Sequence, residues 1–431
     1  MSLTARILIA MLAGLVVGIT LHFAMAGLGP ESASAQFIAT YITGGLFDVI
    51  GKVFIAALKV LVVPMVFVSL VCGSSGLGSE NSRMGAIAGK SLGLYMFTTA
   101  IAITLALTAA LLIQPGEGIA LQTDSNYVAK EAPSLKQVLI NIFPSNPVQA
   151  MADGNMLQII VFALLFGIAV SKAGEQGARI RSFFDDMNEV IMSMVDILMT
   201  MAPYGVFCLL AALFADIGID ILGTLAWYFM TVAGVLILHA ALVYGGLVTV
   251  LARLNPVTFL LKMRPVQLFA FSTASSNATM PITMSVAEHR LGANNSVASF
   301  TIPLGATINM DGTAIMQGVA TVFISQAYGI DIGMSGYLAV IATATLASIG
   351  TAGVPGVGLI MLAMVLQQVN LPVEGIALII GVDRLLDMLR TAVNVTGDAA
   401  VTCVVAQSEG ALDTDIFNTP TDELLAAEQA R

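Results

Sequence analysis

Residues 7–26, 92–113 and 226–252 contain no Asp, Glu, Lys or Arg. Wound as helices, such runs cover the roughly 30 Å of a bilayer's hydrocarbon, which admits only backbone whose hydrogen bonds close internally. The chain is therefore read as an integral membrane protein made of helices. Composition agrees: 57% of the 431 residues are hydrophobic and 10% charged, against about 25% charged in an average soluble protein. The net charge of −10 names no basic partner, because six carboxylates after Ser408 face only Arg431 and read as a solvated tail. Cys72, Cys208 and Cys403 are far apart in apolar sequence, and His22, His239 and His289 are scattered. Neither set has metal, disulfide or nucleophile spacing, and no organic cofactor or nucleic-acid partner is expected.

Arg6, the first apolar run and Ala24-Met25-Ala26 imitate a secretory signal. At about 20 residues the run is too long for one and reads as a first spanning helix. With further spans near 43–72, 84–114, 152–172, 188–217 and 222–252, Lys and Arg collect in alternate connections: Arg6; Arg83 and Lys90; Lys172, Arg179 and Arg181; Arg253, Lys262 and Arg264. Connections 27–42 and 218–221 have none, and only the long loop 115–147 departs, with Lys130 and Lys136 among acids, where long loops weigh less. Positive charge marks the cytoplasmic side, so both termini are expected there. Asp48 and Lys52, four apart, are expected to pair, and Trp227 with Tyr228 to anchor at the interface.

Beyond residue 255 the apolar stretches are interrupted by small, polar and helix-breaking residues, in "FSTASSNATMP" (271–281) and "ASIGTAGVPGVG" (347–358). Non-helical backbone at membrane depth must be buried in protein or line a wet cavity. Each interruption reads as the tip of a re-entrant hairpin, and each is followed by a helix polar at its middle. This repeated order, hairpin then helix, points to a secondary transporter's binding site.

The second such helix holds "GVDRLLDMLRTAVNVTGD" (381–398), with five charges after a span, Met334 to Ile380, that has only Glu374. At 100° per residue Asp383, Asp387, Arg390, Asn394 and Asp398 project within about 80° of one another, Thr391 lies at the edge, and Arg384 falls outside. A charge at membrane depth costs about 2.5–3.5 kcal/mol on insertion scales, so this stripe faces protein, water or ligand. A bare ion pair of Asp387 with Arg390 leaves Asp311, Asp383 and Asp398 unexplained. A site for solute and cations accounts for all of them, with sodium or protons as the coupling ion. An aspartyl protease dyad is the rival from another class, but "NVTGD" lacks a Gly-x-Gly-Asp pattern, and the chain is not read as an enzyme.

Four stretches, "LKVLVVPMVF", "NMDGT", "SIGTAGVPG" and "LDMLRTAVNVTGD", resemble in this order the glutamate transporter family of dicarboxylate and amino acid:cation symporters. The resemblance implies an all-α polytopic membrane protein with eight transmembrane helices plus two re-entrant helical hairpins, an elevator-type transporter with internal repeats. It divides the chain into scaffold helices 1–2 (1–75), transport-domain helix 3 (84–114), an external loop (115–147), scaffold helices 4–5 (148–220) and transport-domain helix 6 (222–254). Re-entrant hairpin 1 (257–291), helix 7 (296–329), re-entrant hairpin 2 (333–370), helix 8 (374–407) and an acidic cytoplasmic tail (408–431) follow. A homotrimer in a prokaryotic inner membrane is implied, taking up aspartate or glutamate with sodium ions.

Carried over by position, Arg390 holds the substrate's side-chain carboxylate and Asp387 its amino group. Thr391, Asn394 and Thr313 add contacts, and Ser276, Val354 and Gly358 close over the α-carboxylate. One sodium site resembles Gly305, Asn309, Asn394 and Asp398; a second, Tyr95, Thr98, Thr99, Asn309 and Asp311; a third, Thr307, Met310, Ser348, Ile349 and Thr351. Gln317 and Met388 stand where the proton- and potassium-coupled animal relatives have glutamate and arginine. Ala274 and Asn277 depart from the first hairpin's usual arginine and serine, and Arg384 is off the stripe. Neutral amino acids or C4-dicarboxylates, with sodium or protons, remain the alternative substrates.

Overall fold

The computed structural model describes residues 3–29, 32–75, 82–118, 143–218, 221–349, 351, 353 and 355–420. Val354, most of the loop expected at 115–147 and the end of the acidic tail lie outside the described residues. Among the described residues the regular elements are helices, with one isolated bridge between Ala293 and Leu412. Segments Ala5–Leu28, Ala33–Ala57, Gly85–Ile113 and Leu222–Val250 are each long and apolar enough to cross a bilayer.

The helices before residue 218, the one over Ser82–Ile113 excepted, form one packed group. α1 (Leu3–Leu28) is followed by α2 (Ala33–Phe37), which passes through a π-helical stretch (Ile38–Phe47) into α3 (Asp48–Ser75). The second span thus starts earlier than the expected 43. α4 (Ser82–Ile113), α5 (Pro147–Asp153), α6 (Met156–Lys172), α7 (Gly174–Met199) and α8 (Ala202–Ile217) come next. The expected span 188–217 is two helices, because the chain turns at Thr200 and Met201, and Pro203 opens α8, where its missing N–H goes unneeded. α1 lies along α8, and α3 against α6, α7 and α8. Gly14 and Gly18, one turn apart, make the α1–α8 approach close: a Cβ on them would come within 2.7 Å of Phe207 O and of Phe214 Cβ. Small residues at such spacing let helix backbones meet in a membrane, where apolar burial alone gives little preference for protein over lipid.

The second group surrounds two buried helices. α9 (Ile221–His239) continues through a π turn (Ala240–Tyr244) into α10 (Gly245–Val250). α11 (Pro256–Thr273) and α12 (Ser276–His289) form the first hairpin, with only Ala274 and Ser275 between them. The helix expected over 296–329 is broken: α13 (Asn295–Ile308) and α14 (Asp311–Ala327) are separated by Asn309 and Met310. α15 (Gly333–Ala347) and α16 (Val357–Gln368) form the second hairpin, and α17 (Ile376–Ser408) is one long helix. α17 contacts α9 and α11–α14, while α4 packs on α14 and α15. The two groups meet where α16 crosses α3 and α17 meets α8.

Asp48 and Lys52 pair at 2.9 Å, as expected. Cys208 and Cys403 are buried, and Cys72 is half-buried. Trp227 is 64% exposed, as an anchor should be, but Tyr228 is 0% exposed and faces the core. Adjacent residues on a helix point about 100° apart, so one can meet lipid while the next meets protein.

Past α17 the chain folds back beneath the first hairpin into α18 (Thr414–Asn418). Asp413 N donates to Gly292 O at 2.7 Å and Asn294 N to Ala411 O at 2.9 Å. The buried Lys262 ammonium donates to the carbonyls of Arg290, Ile416 and Thr419 at 2.9–3.0 Å. Gly292 holds the closest approach: its φ is +78°, and a Cβ there would stand 2.1 Å from Asp413 O. Gly292→Ala is therefore expected to cost about 2 kcal/mol or more, from backbone strain and displacement of this strap. A thermal midpoint lowered by several degrees in detergent checks it, and an unchanged midpoint counts against the strap.

Candidate functional site

The charged stripe of α17 lies beneath both hairpin tips. Arg390 is 1% exposed, and its guanidinium splits between two carboxylates: Nη1 to Asp383 Oδ1 at 2.8 Å and Nη2 to Asp387 Oδ1 at 2.8 Å. Asp387 Oδ2 faces Arg384 Nη1 at 3.4 Å and accepts from Gly356 N, on the second hairpin, at 3.3 Å. Arg384 therefore belongs to the site, contrary to its angular position on the helix. Its long side chain reaches one turn forward to Asp387 and is 7% exposed. Two acids and two arginines leave the cluster neutral overall, the condition under which buried charges are tolerated.

Close backbone approaches shape the floor and roof. A Cβ on Gly358 would lie 3.0 Å from Arg390 Nη2, and one on Gly312 would lie 2.6 Å from Arg390 O. Thr391 Oγ1 donates to Asp387 O, Asn394 Oδ1 accepts from Gly312 N at 2.7 Å, and Thr313 is buried nearby on α14. The tips touch each other. Ser275 Oγ and Asn277 N both donate to Gly353 O, at 2.8 and 3.2 Å. Ser276 sits at the start of α12, its Cβ within 2.9 Å of where a Cβ on Gly353 would be. Ala274 adopts a left-handed φ of 51° to end α11. Arg390, Asp387, Thr391 and Asn394 are thus packed against Gly312 of α14 and against Gly356 and Gly358 of the second hairpin, and Ser276 meets that hairpin at Gly353.

The first proposed cation set also converges. Asn309 Nδ2 donates to Asp398 Oδ1 at 2.9 Å and to Asn394 O at 3.1 Å. Gly305 lies so close that a Cβ on it would be 2.4 Å from Asp398 Oδ1. Asp398 is 1% exposed, and Asn309 Oδ1 is buried without a hydrogen-bond partner among the described residues. A buried carboxylate beside an orphaned amide oxygen fits a hard cation that takes oxygen ligands.

The second set is joined through Thr99. Thr99 Oγ1 donates to Asp311 Oδ1 at 2.5 Å, but Thr98 and Thr99 also bond Tyr95 O. The Tyr95 hydroxyl turns to Thr301 O at 3.0 Å, beside Gly305 and Asp398 instead of Asp311. Asp311 Oδ2 is held by His239 Nε2 at 3.0 Å and by the Tyr244 hydroxyl at 2.8 Å. Neither partner is visible in the sequence, where His239 and Tyr244 are five apart in an apolar run. The π turn between them brings both side chains to one face, and such turns recur at functional sites. In the third set, Thr307 donates to Leu304 O, Ser348 to Thr345 O and Thr351 to Ala347 O, while Met310 Sδ accepts from Asn394 Nδ2 at 3.3 Å. Ile349 is buried at the start of the second tip, and Gly353 further along it packs against Ala306 O.

Two helical hairpins meeting at their tips beside a broken helix, over buried charges with cation-suited oxygens, define a secondary membrane transporter. Residues 3–408 match the Sodium:dicarboxylate symporter family, and the chain belongs to it. It is 34% identical to the "Proton/sodium-glutamate symport protein" of Geobacillus stearothermophilus over 86% of this chain and 89% of that protein. The "Proton/glutamate-aspartate symporter" of Escherichia coli (strain K12) is 34% identical over 96% of this chain and 94% of its own length. The "C4-dicarboxylate transport protein" of Rhodospirillum rubrum is 33% identical, over 96% and 90%.

Proposed function

We propose that this protein is a secondary active symporter that takes up aspartate or glutamate together with sodium ions. The carrying observation is Arg390, a buried guanidinium closed in by Gly358 of the second hairpin with Gly312 of α14 against its backbone, whose planar fork suits a carboxylate bidentately. In this reading Asp387 answers the amino group, Thr391, Asn394, Thr313 and Ser276 orient the ligand, and the second hairpin with Gly358 is the gate. Sodium at the Asp398 and Asp311 sets, with a third ion near Thr307 and Met310, lets the gate close when ligand and ions are both in place. Their binding free energies are then reciprocally coupled.

Helices α1–α3 and α6–α8 serve as the fixed scaffold of a homotrimer. α4, α9 and α11–α17 move as the transport unit, in an elevator of eight transmembrane helices and two re-entrant hairpins. The membrane is a prokaryotic inner membrane with the termini on the cytoplasmic side. Sodium is preferred to protons as the coupling ion, because Gln317 is neutral where proton-coupled animal relatives carry an acid.

A second reading, C4-dicarboxylate uptake, has a specific observation behind it: Asp387 is already engaged by Arg390, Arg384 and Gly356. A ligand with no amino group would leave those contacts in place. Uptake of radiolabelled aspartate into proteoliposomes should require an inward sodium gradient and be competed by glutamate more strongly than by succinate or serine. Equal competition by succinate would remove the role given to Asp387, and uptake indifferent to sodium would remove the coupling.

A further inference from the structure

Tyr228, on α9, buries a hydroxyl that has no hydrogen-bond partner among the described residues. Its ring is explained by packing, with the centroid 5.0 Å from that of Phe323 on α14. Phenylalanine would pack there equally well, and a buried O–H left without an acceptor is destabilising. Leu225, Phe229 and Met230 of α9 line one cavity with Gly381, Val382 and Leu385 of α17, which sets Tyr228 level with Asp383 across the α9–α17 contact, and Asp383 and Arg390 are the charged groups that bear on its hydroxyl.

Asp383 is 5% exposed, and Arg390 Nη1 is its hydrogen-bond donor. A ligand carboxylate that takes the Arg390 fork draws that donor away and strands a buried charge, which costs several kcal/mol when nothing replaces the lost partner. A hydroxyl already in place and uncommitted is the replacement. We infer that Tyr228 is a positioning residue whose O–H donates to Asp383 when a ligand carboxylate engages Arg390. Asp383 and Tyr228 then act as a relay: the acid holds Arg390 in the empty site, and the phenol holds the acid in the loaded one. The inference rests on the reading of Arg390 as the carboxylate partner.

Calorimetry on the purified full chain tests it, with aspartate titrated in saturating sodium and sodium affinity measured separately from the thermal shift without aspartate. Tyr228→Phe is expected to weaken aspartate binding between about tenfold and a hundredfold, the loss of one hydrogen bond to a charged group, and to leave sodium affinity unchanged. On an Asp383→Asn background the same change should have little further effect, as coupled partners behave in a double-mutant cycle. Wild-type protein that binds no aspartate overturns the Arg390 reading, and the relay with it. Wild-type binding with Tyr228→Phe equally tight overturns the relay alone. Equal losses in both backgrounds, or a parallel loss of sodium affinity, assign Tyr228 to packing and also overturn it. If Asp383→Asn does not fold, the comparison of aspartate with sodium affinity in Tyr228→Phe decides by itself.

Discussion

Arg390→Ala is expected to abolish acidic-ligand binding, lowering aspartate affinity by a hundredfold or more. The side chain forms ion pairs of 2.8 Å with both Asp383 and Asp387 at 1% exposure. Truncating one partner of a buried charge pair costs roughly 2–5 kcal/mol, much of it from the charge left behind. Here two acids are left facing the one remaining cation of the cluster, Arg384, 3.4 Å from Asp387. The emptied site is therefore negative and repels the ligand it previously attracted. Arg390→Lys should restore little, because an ammonium is a point charge and cannot bridge two carboxylates with a planar fork. Aspartate and serine binding compared by calorimetry in sodium decides the matter. A variant that still prefers aspartate would show that the carboxylate partner lies elsewhere.

Asp398→Asn should remove most of the sodium dependence of aspartate binding. Asp398 is 1% exposed, and among the described residues its carboxylate is met by Asn309 Nδ2 and by no basic group. A buried carboxylate in that state calls for a cation, and the orphaned Asn309 Oδ1 offers a second oxygen. Asparagine keeps the shape and removes the charge. In the wild type, sodium should strengthen aspartate binding by about a hundredfold or more, a coupling at the upper end of the usual 1–3 kcal/mol, and potassium should not. In the variant the two salts should give similar affinities at a weaker level. Retained sodium coupling in Asp398→Asn would move the cation to Asp311 or to the Thr307 and Met310 set.

Much of this was legible in the sequence because hydrocarbon allows so few solutions. Uncharged runs of span length, the alternation of basic connections and the two small-residue interruptions require only counting, and they led to helices, hairpins and a buried charged stripe. Angular position on a single helix placed Asp383, Asp387, Arg390, Asn394 and Asp398 on a common face, since an isolated helix fixes where each Cα–Cβ bond points. The same rule misplaced Arg384, because it describes where a side chain leaves the backbone, and a long, flexible side chain ends somewhere else.

What only the tertiary structure decided were contacts between segments distant in the chain. His239 and Tyr244 reach Asp311 because a π turn shifts the helix phase and α9 packs on α14. Tyr228, one residue from a lipid-facing tryptophan, turns inward to Phe323. Gly353 receives both donors of the first tip, and Gly356 holds Asp387. The sequence by itself determined that charges are buried in a membrane and on which helix face most of them begin. Which charge neutralises which was decided by the packing of separate helices, because an ion pair is set by the distance between side-chain ends, and periodicity along one helix does not contain that distance.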